Sequence, residues 1–311
     1  INKYFFSLFM RYFKINIMSK IFIIHENEGW QLPLRASLRK RGLAFEEWFI
    51  HQNDLNLFDT PPDGVFFNRM SASSHTRNHR FAPEMTENVL SWLELHGRRV
   101  INGRRAIQLE LRKSEQYLDL QKFGIQTPKT ILVNDPSLLR HAAGQLGKFP
   151  FILKPNRGGK GLGVQMVHDL HHLDDLIEKD NLPESLDGIF LVQEYIAPKD
   201  KSITRVEIIG GKFQYAVRVD CSNRFELCPA DVCQVGDAFC PVGEASLNET
   251  MEKFQIIPQL ENPDIPLYEK FMAAHDIQIG ALEYVTDELD RRYVYDVNTN
   301  TNYNQKAESK A

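Results

Sequence analysis

Several features that would fix a protein's class at once are missing from this sequence. No apolar run approaches the roughly 20 residues that a membrane-spanning helix needs, so no membrane partner is expected. No charge of one sign dominates: 37 Lys and Arg stand against 41 Asp and Glu, a formal net charge of −4. That balance argues against a nucleic-acid or acidic-membrane binder working by bulk attraction. Four cysteines in 311 residues are too few for a disulfide scaffold. Two familiar phosphate signatures are lacking, a G-x-x-x-x-G-K-[ST] loop and a G-x-G-x-x-G entering a helix. No internal repeat, no low-complexity tract and no Ser-His-Asp arrangement stands out. What is there is ordinary for a globular protein, 42% hydrophobic and 25% charged residues, enough for two or three subdomains with real cores.

The first seventeen residues, INKYFFSLFMRYFKINI, differ from the rest. They carry Lys3, Arg11 and Lys14 but no acid. As a signal peptide the apolar stretch is too short and lacks a small-residue cleavage site. The better reading is an upstream extension or appended arm at 1–17, with the working chain starting at Met18. The protein is therefore read as cytoplasmic.

From Met18 onward strand and helix signals alternate. Ile21–Ile24 is an apolar strand, and Leu32–Arg41 has helical periodicity ending at Gly42. Ala44–Ile50 and Gly64–Asn68 read as strands, Glu84–His96 as an amphipathic helix and Val100–Ile101 as a short strand. This rhythm predicts a small parallel sheet flanked by helices. Between its elements lies a polar loop, Arg69–Arg80. Ile107–Phe123 reads as one helix, Thr130–Val133 as a strand, Pro136–Gly144 as helical and Phe149–Lys154 as a strand. Val164–Val167, Ile189–Gln193 and Ile279–Val285 with Tyr293–Val297 read as further strands, and Leu170–Glu178 as a helix. Arg205–Ile209 and Phe213–Val219 form a hairpin about Gly210–Gly211.

The most informative stretch is FPFILKPNRGGKGLGVQMV, Phe149–Val167. Gly158, Gly159, Gly161 and Gly163 fall within six residues, between two strands that must run antiparallel. Glycines let backbone N–H groups converge on an anion, and Lys154 at the end of the incoming strand supplies charge. A flexible hairpin tip is the other reading. A second segment, LVQEYI at Leu191–Ile196, is a strand with a polar exit that can meet an adenine edge.

With these segments in order, the chain resembles the ATP-grasp superfamily, and within it the RimK-like carboxylate–amine ligases. The resemblance runs from about Met18 onward. It rests on INGRRAIQLELRKSEQYL, FGIQTPKT, FPFILKPNRGGKGLGV, LVQEYI, TRVEIIGGKF and ALEYV with YVYDVNTNTN. It implies an α/β (α+β) ATP-grasp fold. A pre-ATP-grasp parallel-sheet domain would span 18–104, a lid subdomain with the glycine-rich loop 105–195, and a C-terminal subdomain with the metal site 196–311.

The resemblance also implies roles. Lys113 and Lys154 match the two lysines that meet nucleotide phosphates, and Gln193, Glu194 and Tyr195 match the adenine hinge. The family often has an acid shortly before the next strand's arginine. Here Ile203 stands in its place, with Asp200 as a substitute toward the ribose. Arg205 and Arg218 match arginines that approach the transferred phosphoryl group, and guanidinium pairs suit that charge. Glu283 on one strand, with Asp296 and Asn298 at i and i+2 of a neighbour, would give hard oxygen donors on one face. They suit Mg²⁺, with Mn²⁺ as the alternative. A turn-forming Asn/Asp cluster is the other reading. The family commonly has Asp at 283 and Glu at 296, a swap that keeps charge and alters reach.

The implied chemistry is ATP-dependent activation of a carboxylate as an acyl phosphate, followed by attack of an amine, ADP-forming C–N ligation. The expected substrates are an amino acid such as glutamate and an amine or peptide, with no nucleic-acid or membrane partner and an oligomer as an open alternative. A kinase on the same fold and a non-catalytic nucleotide binder are the rivals. Relatives usually continue with a covering helix after the segment that here ends the chain, so a truncation or a missing cover is expected. Arg69, His75, Arg77, His79 and Arg80 make the Arg69–Arg80 loop a candidate for binding a carboxylate-rich substrate or, equally, a solvated surface. Cys221, Cys228, Cys233 and Cys240 fall within twenty residues. A zinc site and free thiols are both open, since no C-x2-C pair occurs. His168, His171 and His172 are read as surface residues.

Overall fold

The computed structural model describes residues 20–159, 161–221 and 254–300. Strand β1, Ile21–His25, is buried along its whole length and pairs in parallel with β2, Phe45–Phe49, and β3, Val65–Asn68. A parallel strand covered on both faces reads as a continuous apolar run, as IFIIH does. β4, Arg99–Ile101, joins β3 to give the order β2-β1-β3-β4. Helices α1, Leu32–Lys40, and α2, Ala82–Leu95, connect the strands. Gly42, at φ +64, sits just past α1, where a left-handed residue commonly ends a helix.

A second sheet of four antiparallel strands contains β5, Thr130–Val133, β6, Phe151–Pro155, β7, Gln165–Val167, and β8, Phe190–Glu194, ordered β5-β8-β6-β7. The glycine-rich loop joins β6 to β7, which are antiparallel. One face of this sheet packs Phe151, Leu153, Val167 and Val192 with residues of α5, Leu139–Leu146, and α6, Leu170–Glu178. Because side chains alternate, Ile152, Lys154, Leu191 and Gln193 take the other face.

The third sheet has five strands: β9, Ser202–Ile209, β10, Lys212–Asp220, β11, Phe254–Ile257, β12, Ile279–Thr286, and β13, Arg292–Asn298. Their order is β11-β10-β9-β12-β13. Gly210 and Gly211, at φ +64 and +72, close the β9–β10 hairpin as a two-residue turn with both central residues at positive φ. One face packs Val206, Ile208, Leu282 and Val294 against Phe271 and Met272 of α7, Ile265–Ala274. β11 and α7 have no counterpart in the sequence reading.

Asn102 joins the first sheet to the third. Its side chain donates to the carbonyls of Ile279 (2.7 Å) and Thr299 (2.8 Å) and accepts from the amides of Gln278 (3.0 Å) and Ile279 (3.2 Å). A fully buried amide with every valence used this way fixes relative position, because each lost partner would leave a group unpaired.

The expected single helix over Ile107–Phe123 is two helices, α3, Arg104–Leu111, and α4, Lys113–Lys122, broken at Arg112 (φ −130, ψ 90). Neither Gly nor Pro marks the break. The cause is Asn156, just after β6: its carbonyl accepts from the Lys113 amide (3.3 Å) and its Oδ1 from the Ser114 amide (2.9 Å). Those contacts cap the new helix start. Gln116 donates to the Leu109 carbonyl (2.7 Å) at the end of α3. A tertiary contact thus decides what local periodicity left continuous.

Candidate active site

The break at Arg112 makes Lys113 the first residue of α4. Residues 113, 116 and 117 then share one helix face, and that face lies along β13. Lys113 Nζ pairs with Asp296. Gln116 donates to the Val297 carbonyl and accepts from its amide, both at 3.0 Å. The Tyr117 hydroxyl donates to the Tyr295 carbonyl at 2.8 Å. Lys154, reaching from β6, donates to the Tyr117 hydroxyl at 2.8 Å. The two lysines, 41 residues apart in sequence, therefore meet over the same strand.

On β12 and β13, Glu283 lies directly opposite Asp296, and on β9 Arg205 lies opposite Glu283. Directly opposed residues share a face, so the three point to one side of the sheet. Asn298 joins them, its Nδ2 donating to Glu283 Oε1 at 2.9 Å, and the Tyr295 hydroxyl donates to Glu283 Oε2 at 3.1 Å. A register irregularity after Glu283 re-aims this stretch, as bulges do beside functional sites. Arg205 Nε stands 2.7 Å from Glu207 Oε1, and its Nη1 3.9 Å from Glu283 Oε1.

Electrostatics separates these groups. Burial, reinforced by repulsion from Lys113, lowers Lys154 to about 7. Burial also opposes the charge on Lys113, yet Asp296 more than offsets it and holds that ammonium above its ordinary value. Burial pushes Glu283 up to about 7, against the pull of Arg205 and with the repulsion of Asp296. Burial raises Glu207 despite its arginine partner.

Glu283, Asp296 and Asn298 fit a hard divalent cation. Their donors are oxygens once the Asn298 amide turns its Oδ1 inward, and two carboxylates face each other across adjacent strands. Glu283 is 3% exposed with its charge held back by burial, a cost that a cation would relieve. Among the described residues no three His, Cys, Asp or Glu side chains gather into a metal cluster, so the donor set depends on the asparagine.

The glycine loop leaves β6 through Asn156 and Arg157. Arg157 pairs with Glu84 and donates to the Arg80 carbonyl at 3.1 Å. Gly161 and Gly163 have φ +70 and +72, values that L side chains rarely adopt. A β-carbon on Gly159 would come within 3.2 Å of Ser73 Cβ, and one on Gly163 within 3.1 Å of Pro155 and Pro183. Gly158 lies against Pro155. The loop thus leans on the first sheet's Arg69–Arg80 segment.

Three expected residues fall elsewhere. Arg218 lies opposite Thr204, whereas Arg205 lies opposite Val217, so alternation puts Arg218 on the other face, where its charge acts on Tyr284. Glu194 shares a face with Phe151 and its carboxylate pairs with Lys148, while Gln193 shares the face of Lys154 and donates to Thr130 Oγ1 at 2.9 Å. Asp200 accepts from the Ser202 amide (3.2 Å) and hydroxyl (2.7 Å), a turn at the start of β9. Its other oxygen is 3.9 Å from Arg218. Tyr195 is half-buried just after β8. Sequence reasoning missed Asn156, Tyr117, Tyr295, Glu207 and Gln116. For Tyr117 the i+4 spacing from Lys113 was the available signal. Of the four cysteines only Cys221 is described, so the zinc reading lies outside the described residues, as does the arm at 1–17. His168 and His171 are exposed.

A parallel sheet followed by two antiparallel sheets, one carrying a glycine hairpin and a lysine and the other an acid-rich strand end, defines the ATP-grasp fold. Residues 108–225 match the family model of the RimK-like ATP-grasp domain. Over 164 residues it is 30% identical to the beta-citrylglutamate synthase B of Danio rerio, covering 50% of this chain and 38% of that protein. It is 28% identical over 129 residues to the N-acetylaspartylglutamate synthase A of Mus musculus, covering 40% of this chain and 32% of the relative. The match therefore spans about a third of the length of these curated relatives. Among solved structures, a RimK domain ATP-grasp protein from Sphaerobacter thermophilus superposes with a TM-score of 0.66 at 14% identity, covering 94% of this chain and 95% of that one. No helix among the described residues is long and apolar enough to cross a membrane.

Proposed function

We propose that this protein is an ATP-dependent carboxylate–amine ligase that works through an acyl phosphate. The observation that carries the reading is the convergence of Lys113 and Lys154 with Glu283, Asp296 and Asn298 over the end of β13. Cations for phosphate oxygens stand on one side of that centre and oxygen donors for a divalent cation on the other. Both curated relatives have names that describe a glutamate joined to an acid, which supports an amino acid or peptide as one substrate here.

In this reading Lys154 and Lys113 hold the phosphates of ATP, the loop carrying Gly158, Gly159, Gly161 and Gly163 lies over them, and Ile152, Leu191 and Gln193 face the base. Glu283, Asp296 and Asn298 would hold Mg²⁺, or Mn²⁺ in its place, which supplies charge neutralisation and orientation of phosphate oxygens. Arg205 draws off negative charge on the transferred phosphoryl group. A substrate carboxylate oxygen attacks the γ-phosphorus, the bond to the bridging oxygen breaks and ADP leaves. The amine then attacks the acyl carbon and inorganic phosphate departs, carrying off the charge. The protein's contribution is positioning and electrostatics, with no covalent nucleophile. The subdomain limits 18–104, 105–195 and 196–311 and a cytoplasmic location belong to the same proposal.

The test is ADP release by the full chain with Mg²⁺ and ATP against paired acids and amines, with mass spectrometry of the product. Release that needs both partners, with loss of one water from their combined mass, supports ligation. Turnover without an amine, yielding a phosphorylated hydroxyl compound, would establish the kinase reading instead.

A further inference from the structure

Lys113 and Lys154 come from different units of the fold. Lys113 opens α4, which is fastened along β13 of the five-stranded sheet through Gln116 and Tyr117. Lys154 lies on β6 of the antiparallel four-stranded sheet. The two ammonium groups are close enough for Lys113 to oppose the charge on Lys154. Like charges brought together push apart, so the joint between their two elements must be held by other contacts.

Asn156 makes that joint. It stands two residues beyond Lys154 and is 2% exposed. Its amide donates to the Ile189 carbonyl at 3.0 Å, which carries the pairing of β6 and β8 one step past Pro155. Its carbonyl accepts from the Lys113 amide at 3.3 Å. The side chain faces two ways: Oδ1 accepts from the Ser114 amide at 2.9 Å, and Nδ2 donates to Asp187 Oδ2 at 2.6 Å. Asp187 is itself fixed, because its Oδ1 accepts from the Ser185 hydroxyl at 3.1 Å and the Ile189 amide at 3.2 Å. Main chain and side chain together tie the start of α4 to the end of β6 and to the turn that leads into β8.

An ordinary helix cap would account for only part of this. A cap normally comes from the residue just before the helix. Arg112 holds that place in α4, and its side chain makes no capping bond. The acceptor is supplied instead from 42 residues away. Capping also needs only an oxygen, whereas Asn156 uses its donor as well. A short, planar group with an acceptor on one side and a donor on the other is what asparagine has and what Asp, Ser and Ala lack.

We infer that Asn156 is the positioning residue that sets Lys113 against Lys154 as a single grip for the polyphosphate of the nucleotide. The inference rests on the proposed nucleotide role of the two lysines for its purpose, and on the contacts of Asn156 for its geometry. Asn156 acts through Lys113 and makes no contact with phosphate itself.

The test measures ATP binding to the full chain by calorimetry, with Mg²⁺ present, no acid or amine added, and each variant held well below its unfolding transition. Asn156→Ala should weaken binding about tenfold, the scale of one lost hydrogen bond to a charged group. Asn156→Asp keeps the acceptor for Ser114 but sets two carboxylates face to face, and it should weaken binding too. Asp187→Asn added to Asn156→Asp exchanges donor and acceptor across the same contact and should bring affinity back to within about threefold of wild type. In a Lys113→Met chain, adding Asn156→Ala should change affinity by no more than about twofold, because residues that act as one unit are not additive. General damage to the fold would show neither the recovery nor the lost effect. Wild-type chain that fails to bind ATP, Asn156→Ala within about twofold of wild type, or a double exchange no better than Asn156→Asp alone overturns the inference. ATP binding that depends on Asn156, in a chain with no amine-dependent ADP release, would leave the inference standing and sink the ligase reading.

Discussion

The antiparallel four-stranded sheet and the five-stranded sheet meet at one centre in opposite electrostatic conditions. The four-stranded sheet delivers Lys154 into a place where a hydroxyl is its hydrogen-bond partner, and burial drags the ammonium down to about 7. The five-stranded sheet delivers carboxylates, and Lys113 reaches them from α4 already paired with Asp296. In the proposed reading, one lysine awaits an anion and the other holds one that a cation would claim. The difference shows how such a centre is held together without ligands: the charges of Lys113 and Asp296 cancel each other, while that of Lys154 is suppressed by burial.

The sharpest way to break the comparison is to remove the shared carboxylate. Asp296→Asn takes away a proposed metal donor and the partner of Lys113 together. Turnover should fall by about a thousandfold, since metal-borne charge stabilisation is worth several kcal/mol. Steady-state ADP release against Mg²⁺ concentration checks this, and turnover like that of wild type would remove Asp296 from the metal set.

Next come the two lysines as stability variants, where opposite signs are expected. Lys113→Met leaves Asp296 unpaired beside buried Glu283 and should cost about 3 kcal/mol in a denaturant midpoint experiment. Lys154→Met replaces a suppressed buried ammonium with an apolar side chain of similar length and should stabilise the ligand-free protein by about 1 kcal/mol. Changes of the same sign in both would erase the distinction between the two sheets.

The same contrast has a pH signature. In the unfolded chain lysine keeps its proton to about pH 10, whereas folded Lys154 loses it near 7. Between those limits the unfolded state binds more protons, so this group's effect is stability that rises with pH. Nucleotide phosphates favour the ammonium, so binding above pH 7 should take up a proton and affinity should fall as pH rises, by at most about tenfold per unit. Calorimetry in two buffers of different ionisation heat measures the uptake. Lys154→Met should abolish this contribution, and an unchanged uptake would shift it to another group.

How far the sequence carried this picture varies by element. The parallel sheet was legible because IFIIH and GVFFN are apolar runs punctuated by glycine, a local signal. Lys154, the glycines and the pairing of Asp296 with Glu283 were legible from spacing and resemblance together. The break at Arg112 was not, because Asn156, more than forty residues away in sequence, makes it. The buried role of Glu26 was hidden for the same reason: its partners, Arg77 and His79, come from the loop past another strand. Helix α7, IPLYEKFMAA, went unread, although Pro266 near its start is an ordinary helix-opening signal.

The smallest expected effect tests register. Arg205 and Arg218 read alike in sequence, each an arginine on a strand of one hairpin, and resemblance gave them one task. In the structure a single-residue difference in register separates them: Val217, and not Arg218, opposes Arg205. Arg205 is 6% exposed among Glu207 and Glu283, whereas the Arg218 side chain is 46% exposed near Asp200. A pair that exposed is worth about 0–1 kcal/mol. Arg218→Ala should therefore leave nucleotide affinity and turnover within about twofold of wild type, inside the range of ordinary surface substitutions. Because side chains on a strand alternate faces, a turnover loss beyond tenfold would point to a shift of β10 by one residue against β9 in the proposed ligase. That shift would carry Val217 off the site face and bring a second guanidinium beside Arg205.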